Sequence, residues 1–282
     1  GKRWTSGFEP YVYVCNEDEG FNWFFDSEAN WVYPEGAKPT EIVVDGDTAT
    51  IRVHLVMKPV EFQRPATYVF GYQATPVKPM MEGWRAFNTG KTRPVEGQNV
   101  HVYNKAHRVD FSFFTPSDDK IKAASLARQR RLGLREMHYV ATQVTYVSDV
   151  VAFFRRRWTN PYNSRSGDHA PVCQNSGYTE YVAWHAREFL AQFDENSIYT
   201  DVDRLVPCDN RLHGCGTTDA LGRAMPTYHI AARREFYKRL ATVCRNAEGG
   251  LPPRGYLMCH AHDNLVLPYH SFADLFYPGE QY

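Results

Sequence analysis

No stretch of this sequence approaches the roughly 20 consecutive apolar residues that a membrane-spanning helix needs, so insertion into a bilayer is not expected. Net charge is equally missing. The 32 Lys and Arg residues balance 32 Asp and Glu, which leaves no basic field to gather nucleic acid or an anionic membrane surface. The local basic run Arg155-Arg156-Arg157 reads as a solvated helix face. Six cysteines in 282 residues are too few for a disulfide-stapled small fold. No Gly-x-Gly-x-x-Gly, Walker loop or Gly-x-Ser-x-Gly elbow occurs, so nucleotide-binding and serine-hydrolase chemistry lack support. Internal repeats and low-complexity tracts are also missing. The chain opens Gly1-Lys2-Arg3-Trp4 with neither an initiator Met nor a signal peptide, and the expectation is that its natural N-terminus lies upstream.

Aromatic residues are plentiful at 15%, with six Trp and 18 Tyr. Such rings stack on the C–H faces of sugars and equally suit a β-rich core. Residues 1–73 read as β-structure. Tyr11–Val14, Phe21–Phe25 and Glu41–Val44 are short strand-like runs, and Asp45-Gly46-Asp47 is a tight hairpin signal. Thr48–Leu55 then alternates with period two, as a half-buried strand does. This is sandwich-like sequence that begins mid-domain.

Around residue 74 the texture changes, with Pro76, Pro79 and Gly83 marking a junction. Strands are expected at Val100–Tyr103 or Val109–Phe113, Met137–Thr142, Ser197–Thr200, Tyr256–Cys259 and Phe272–Tyr277. Helices are expected from Ser117, a plausible N-cap, to about Gly133, over 178–193, and over about 227–246. The second should bury Val182, Ala186, Phe189, Leu190 and Phe193, and the third Phe236, Leu240 and Val243. Alternating strands and helices predict a parallel sheet with crossover helices. The fold class is therefore α/β plus all-β: the C-terminal part of a β-sandwich (1–73) followed by a (β/α)8-type barrel (74–282). With only four or five strand–helix units, the barrel is expected to be incomplete.

In such sheets chemistry gathers at the carboxyl ends of the strands. Three places qualify. Asp201 and Asp203 follow an apolar strand and are expected to point to opposite sides, so that one faces the mouth. Arg204 beside them can hold a carboxylate ionised. His260 and His262 end the next strand, where they can bind sugar hydroxyls, ligate zinc or serve structure. Glu280, freed by the turn at Gly279, can act as a general acid if burial raises its pKa. Asp194-Glu195 precede a strand and belong to the opposite face. Between Cys208 and Cys215 a short loop carries Asn210 and His213. The two cysteines can form a disulfide, remain thiols, or join His213 on a metal, although the spacing matches no standard zinc knuckle.

Several stretches, in order, resemble the glycoside hydrolase family 123-like proteins, a bacterial group. They are Phe70-Gly71-Tyr72-Gln73-Ala74-Thr75-Pro76-Val77-Lys78-Pro79, Cys208-Asp209-Asn210 with His213-Gly214-Cys215-Gly216, Pro226-Thr227 with Arg234-Glu235-Phe236, and Ser271-Phe272-Ala273-Asp274 with Gly279-Glu280-Gln281. Tyr11–Phe25 is similar to the upstream sandwich strands. Characterised family 123 members are similar to β-N-acetylgalactosaminidases that use an adjacent Asp-Glu pair; this chain has Asp201-Val202-Asp203 instead.

The resemblance implies a glycosidase acting on a poly- or oligosaccharide. Asp201, Asp203 and Glu280 would be its catalytic carboxylates, and His260, His262, His213, Arg204, Asn210 and Gln281 would contact substrate. By analogy with barrels that cleave α-galactosides, Asp201 or Asp203 attacks and Glu280 protonates the leaving oxygen. No cofactor, metal or nucleic-acid partner is expected. A periplasmic or extracellular location is expected from the substrate type and from the Cys208/Cys215 pair. The alternatives are a non-catalytic carbohydrate-binding or scaffold protein, and a metal-dependent barrel hydrolase using His260 and His262.

Overall fold

The structure, a computed structural model, describes residues 1–81, 84, 87–88, 99–104, 127, 131, 135–146, 148–163, 169–248, 255–261 and 265–277. The Val109–Phe113 strand, the helix begun at Ser117, Gly83, Gly133, His262, Glu280 and Gln281 lie outside the described residues. The chain divides into two compact units, one built on Gly1–Lys78 and the other on Pro79–Val206 with Ala231–Tyr282. Of the connecting stretch, Pro207–Arg211 and Cys215–Ile230 go with the first and Leu212–Gly214 with the second.

The first unit holds two three-stranded antiparallel sheets. Strands β1 (Lys2–Ser6), β4 (Thr40–Asp45) and β5 (Thr48–Val53) form one, in the order β1-β4-β5. The other is ordered β2-β3-β6, from β2 (Tyr11–Cys15), β3 (Gly20–Phe25) and β6 (Phe70–Thr75). The Asp-Gly signal between β4 and β5 is a hairpin closed by the pair Asp45↔Thr48, with Gly46 at φ +56. Phe25 and Trp31, each 2% exposed, meet edge to face at 4.9 Å and anchor the core of this unit.

The second unit is built on a six-stranded sheet. Its strands are β7 (Phe87–Asn88), β8 (Asn99–Asn104), β9 (Arg135–Ala141), β12 (Ile198–Asp203), β15 (Leu257–Ala261) and β16 (Leu275–Tyr277), in the spatial order β16-β15-β12-β9-β8-β7. Every pairing is parallel. Each strand lies beside its predecessor in this sheet, as in a barrel wall; a doubly wound sheet would reverse direction. Among the described residues the sheet does not close, so the expected barrel is present only as an open parallel array.

A short antiparallel pair, β10 (Val144–Tyr146) with β11 (His169–Pro171), brackets helix α1 (Asp149–Trp158). Ser148 caps α1 by accepting from Val151 N–H, and Arg155, Arg156 and Arg157 fill its last turn, where cations suit the helix dipole. Helix α2 (Tyr178–Phe193) buries the predicted stripe Val182, Ala186, Phe189, Leu190 and Phe193. It ends at Asp194, which adopts a left-handed φ of 54. Helix α3 (Ile230–Asn246) buries Phe236 and Leu240 fully, whereas Val243 is only half-buried. The one-turn helix α4 (Leu267–His270) precedes β16.

The two faces of the sheet have different partners. Met137, Tyr199, Tyr256 and Met258 pack together with Tyr139, Leu275, Tyr277 and Met81 on one face. Alternate residues turn to the helices: the His138 ring meets Phe189 of α2 at 4.3 Å, and Thr200 Oγ1 lies 3.4 Å from Tyr237 Oη of α3.

Candidate active site

Strand β12 has neighbours on both sides, and its carboxyl end carries both predicted aspartates. On a regular strand, residues two apart share a face. Asp201 and Asp203 do not. Thr200 pairs with Cys259 and Asp203 with Ala261, so three steps along β12 match two along β15, a β-bulge. Val202 absorbs the extra residue with a left-handed φ of 55. The expected divergence of the two carboxylates is thus produced by a bulge, and strand alternation alone would have placed them together.

Asp201 stays on the face of Tyr139, Tyr199 and Tyr277. Tyr139 Oη of β9 donates to its Oδ2 at 2.5 Å, and His260 Nδ1 of β15 lies 2.7 Å from its Oδ1. Asp201 Oδ1 also accepts from the Val202 backbone N–H at 2.6 Å. The Tyr277 ring meets His260 edge to face at 5.2 Å, and Tyr199 lies parallel to it at 6.3 Å. At 8% exposure, Asp201 keeps a little contact with solvent. A carboxylate with two hydrogen-bond donors and an imidazole beside it, partly open and rimmed by aromatic rings, can accept a proton or attack an electrophilic carbon.

Asp203 has a different environment. It is 2% exposed and sits on the helix face. Arg233 Nη1 of α3 donates to its Oδ1 at 3.0 Å, while Tyr237 Oη donates to Oδ2 at 2.5 Å and His270 Nε2 reaches Oδ2 at 3.1 Å. His270 Nδ1 accepts from the Val266 N–H at 2.9 Å, which puts the imidazole proton on Nε2, facing Asp203. Burial presses the Asp203 carboxyl upward. The His270 hydrogen bond, the Arg233 charge and the Tyr237 hydroxyl outweigh burial and hold the carboxyl below the ordinary carboxylate range. Burial, then the neighbouring Asp203, pushes the Tyr237 phenol well above 10. Enclosed in this way, Asp203 braces the strand end against the helices.

The other predicted residues fall in several places. Arg204 is exposed and contributes its carbonyl, which accepts from Gln143 Nε2 and from Arg233 Nη1. Arg233 is a cation on Asp203, and nothing in its sequence neighbourhood signalled this. Asn210 accepts at its carbonyl from Cys215 N–H. His213 Nδ1 sits 2.5 Å from the Arg157 carbonyl, and the His213 carbonyl accepts from Asn175 Nδ2 at 3.1 Å. Tyr139 was missed because it reads as an ordinary strand aromatic; its register opposite Tyr199 is the only clue.

No family model matches the chain, and no curated protein matches it significantly. Among solved structures it is similar to α-L-fucosidase isoenzyme 2 from Paenibacillus thiaminolyticus, at 14% identity and a TM-score of 0.38, over 56% of this chain and 26% of that one. It is also similar to the glycoside hydrolase domain of PelA from Pseudomonas aeruginosa, at 12% identity and a TM-score of 0.31, over 49% of this chain and 47% of that one. The chain thus spans about a quarter and about half of these two structures. No helix among the described residues is long and apolar enough to cross a membrane.

Proposed function

We propose that this chain is a glycoside hydrolase in which Asp201 is the reacting carboxylate, as nucleophile or base. One observation carries the reading: at the carboxyl end of an interior parallel strand, Asp201 is held by Tyr139 and His260 from the two flanking strands. Tyr277, half-buried beside His260, supplies a ring against which a sugar face can pack. Glu280, which follows β16 in the sequence, is the proposed acid, and His262 and Gln281 are the proposed sugar contacts. A periplasmic or extracellular setting belongs to this proposal through the substrate alone, since Cys208 and Cys215 are not joined in a disulfide.

The test is a panel of aryl glycosides and oligosaccharides. The parent chain is expected to hydrolyse a member of it. Asp201→Asn is expected to lose on the order of 10²- to 10⁴-fold in rate while keeping the parent's melting temperature. An unchanged rate in that variant rejects the assignment.

A second reading, sugar binding without cleavage, draws on the first unit. Phe21 stacks on Tyr72 at 5.9 Å and Trp23 on Phe70 at 4.5 Å, with Phe21, Tyr72 and Phe70 exposed. Binding to glycans with no turnover of any substrate selects this reading.

A further inference from the structure

We propose that the first unit carries a saccharide-binding cavity of its own, which takes a neutral mono- or disaccharide. The cavity has a volume of about 390 Å³, within the roughly 300–1,000 Å³ of small-molecule sites. Its walls come from three stretches, 25–31, 64–69 and 217–227, and every lining residue belongs to the first unit. Hydrogen bonds between residues far apart in sequence tie these walls together. Asn30, 5% exposed and at a left-handed φ of 68, is the joint. Its Nδ2 donates to the Thr67 carbonyl at 2.7 Å, and its Oδ1 accepts from Ala220 N–H at 2.6 Å. The Asn30 carbonyl accepts from Tyr68 Oη at 3.1 Å. Ser27 Oγ donates to the Pro226 carbonyl at 2.8 Å, and Arg64 Nη2 donates to the carbonyls of Thr218 and Asp219. Walls tied at this many points lose little freedom when a guest binds.

The groups that the walls leave over define the guest. Arg64 gives only Nη2 to the walls, so its Nε and Nη1 have no acceptor among the described residues. The hydroxyls of Thr67 and Thr217 have no partner there either. Trp31 lines the same cavity at 2% exposure, and its Nε1–H is buried without an acceptor. Unmet donors beside hydroxyls that both give and take call for an oxygen-rich, polyhydroxylated guest. Charge narrows the class. The lining carries two carboxylates, Asp26 and Asp219, and one guanidinium, Arg64. A guest of either sign would face a like charge, which leaves the neutral sugars. The inference rests on the carbohydrate reading for its ligand class and not for its location, because no strand-end residue of the second unit lines the cavity.

The experiment is titration calorimetry on the whole chain carrying Asp201→Asn, so that no probe is turned over. The probes are glucose, galactose, mannose, N-acetylglucosamine and their disaccharides, with glucuronate and glucosamine as charged controls. A neutral probe is expected to bind at one site per chain, and the charged controls about tenfold or more weaker. Thr67→Val and Thr217→Val keep the side-chain shape and remove a hydroxyl; each is expected to weaken binding about three- to tenfold. Arg64→Met is expected to weaken it about tenfold or more. Because Arg64→Met also releases two wall carbonyls, the Val variants decide the matter if it unfolds. Sugar binding that survives both Val variants unchanged belongs to another site and overturns the proposal, leaving the glycosidase reading in place. No binding of any neutral probe, or tighter binding of a charged control, overturns it too. A failed Asp201 assignment shows separately, as an unchanged hydrolysis rate in Asp201→Asn, and leaves the calorimetry as it is.

Discussion

Arg233 Nη1 donates to Asp203 Oδ1 at 3.0 Å, with both side chains 1% exposed. The same guanidinium donates to the carbonyls of Arg204 and Val206, so one buried cation holds both the strand-end carboxylate and the turn that follows. Removing one partner of such a pair leaves an uncompensated buried charge, at a cost of about 3–5 kcal/mol. Arg233→Met is therefore expected to lower unfolding free energy by that amount in urea denaturation. A loss under about 1 kcal/mol would mean that the network is solvated or dispensable.

The same network predicts how stability varies with pH. The folded Asp203 carboxyl lies below its ordinary range, so its contribution is complete above about pH 4 and is lost as pH falls through the folded value. Tyr237 and Tyr269 are displaced the other way, chiefly by burial, with Asp203 adding to both. Their contribution is complete below about pH 10 and is lost as pH rises toward the folded values. Melting temperature measured across pH should show a plateau between these limits. Replacing Asp203 with Asn should flatten the acid limb.

Val202 is β-branched and holds a φ of 55, a region such residues rarely enter. Glycine adopts it without strain. Val202→Gly is expected to stabilise the protein by about 1 kcal/mol and to keep the bulge that separates the two aspartates. Destabilisation of similar size would mean that Val202 packing outweighs its backbone strain.

Gly255 tolerates no side chain for a different reason. A Cβ there would come within 1.9 Å of the Asn196 carbonyl oxygen and 2.2 Å of the Cys244 carbonyl oxygen. Backbone atoms on both sides cannot step aside as a flexible side chain would. Gly255→Ala should cost about 3 kcal/mol or more, read as a fall in denaturation midpoint. An unchanged midpoint would show that the entry to β15 can shift.

Periodicity made much of the second unit legible. The stripe from Val182 to Phe193 is a helical face and is buried as such, and β9, β12 and β15 lie where apolar runs indicated. Parallel order followed from the alternation of elements. The site was less readable. Positions 201 and 203 were visible as strand-end carboxylates, but the bulge that divides them is a property of register with β15, which no local pattern encodes. Arg233, Tyr237 and His270 reach Asp203 from 30, 34 and 67 positions away, and each reads locally as an ordinary helix residue.

Tyr139 gives the sharpest test of the Asp201 assignment. Its hydroxyl donates to Asp201 Oδ2 at 2.5 Å, while its ring packs against the cluster around Tyr199 and Met258. Tyr139→Phe keeps the ring and deletes one hydrogen bond to a charged group, worth about 1.5–3 kcal/mol. If Asp201 reacts with substrate, that bond orients it, and kcat should fall about ten- to hundredfold with KM little changed. His260→Gln acts on the other carboxylate oxygen, 2.7 Å away, and should lower kcat in the same direction. The double variant should fall short of the product of the two losses, because both residues position one group. Fully multiplicative losses would mean that Tyr139 and His260 act independently, and unchanged kcat in both would remove Asp201 from the reaction.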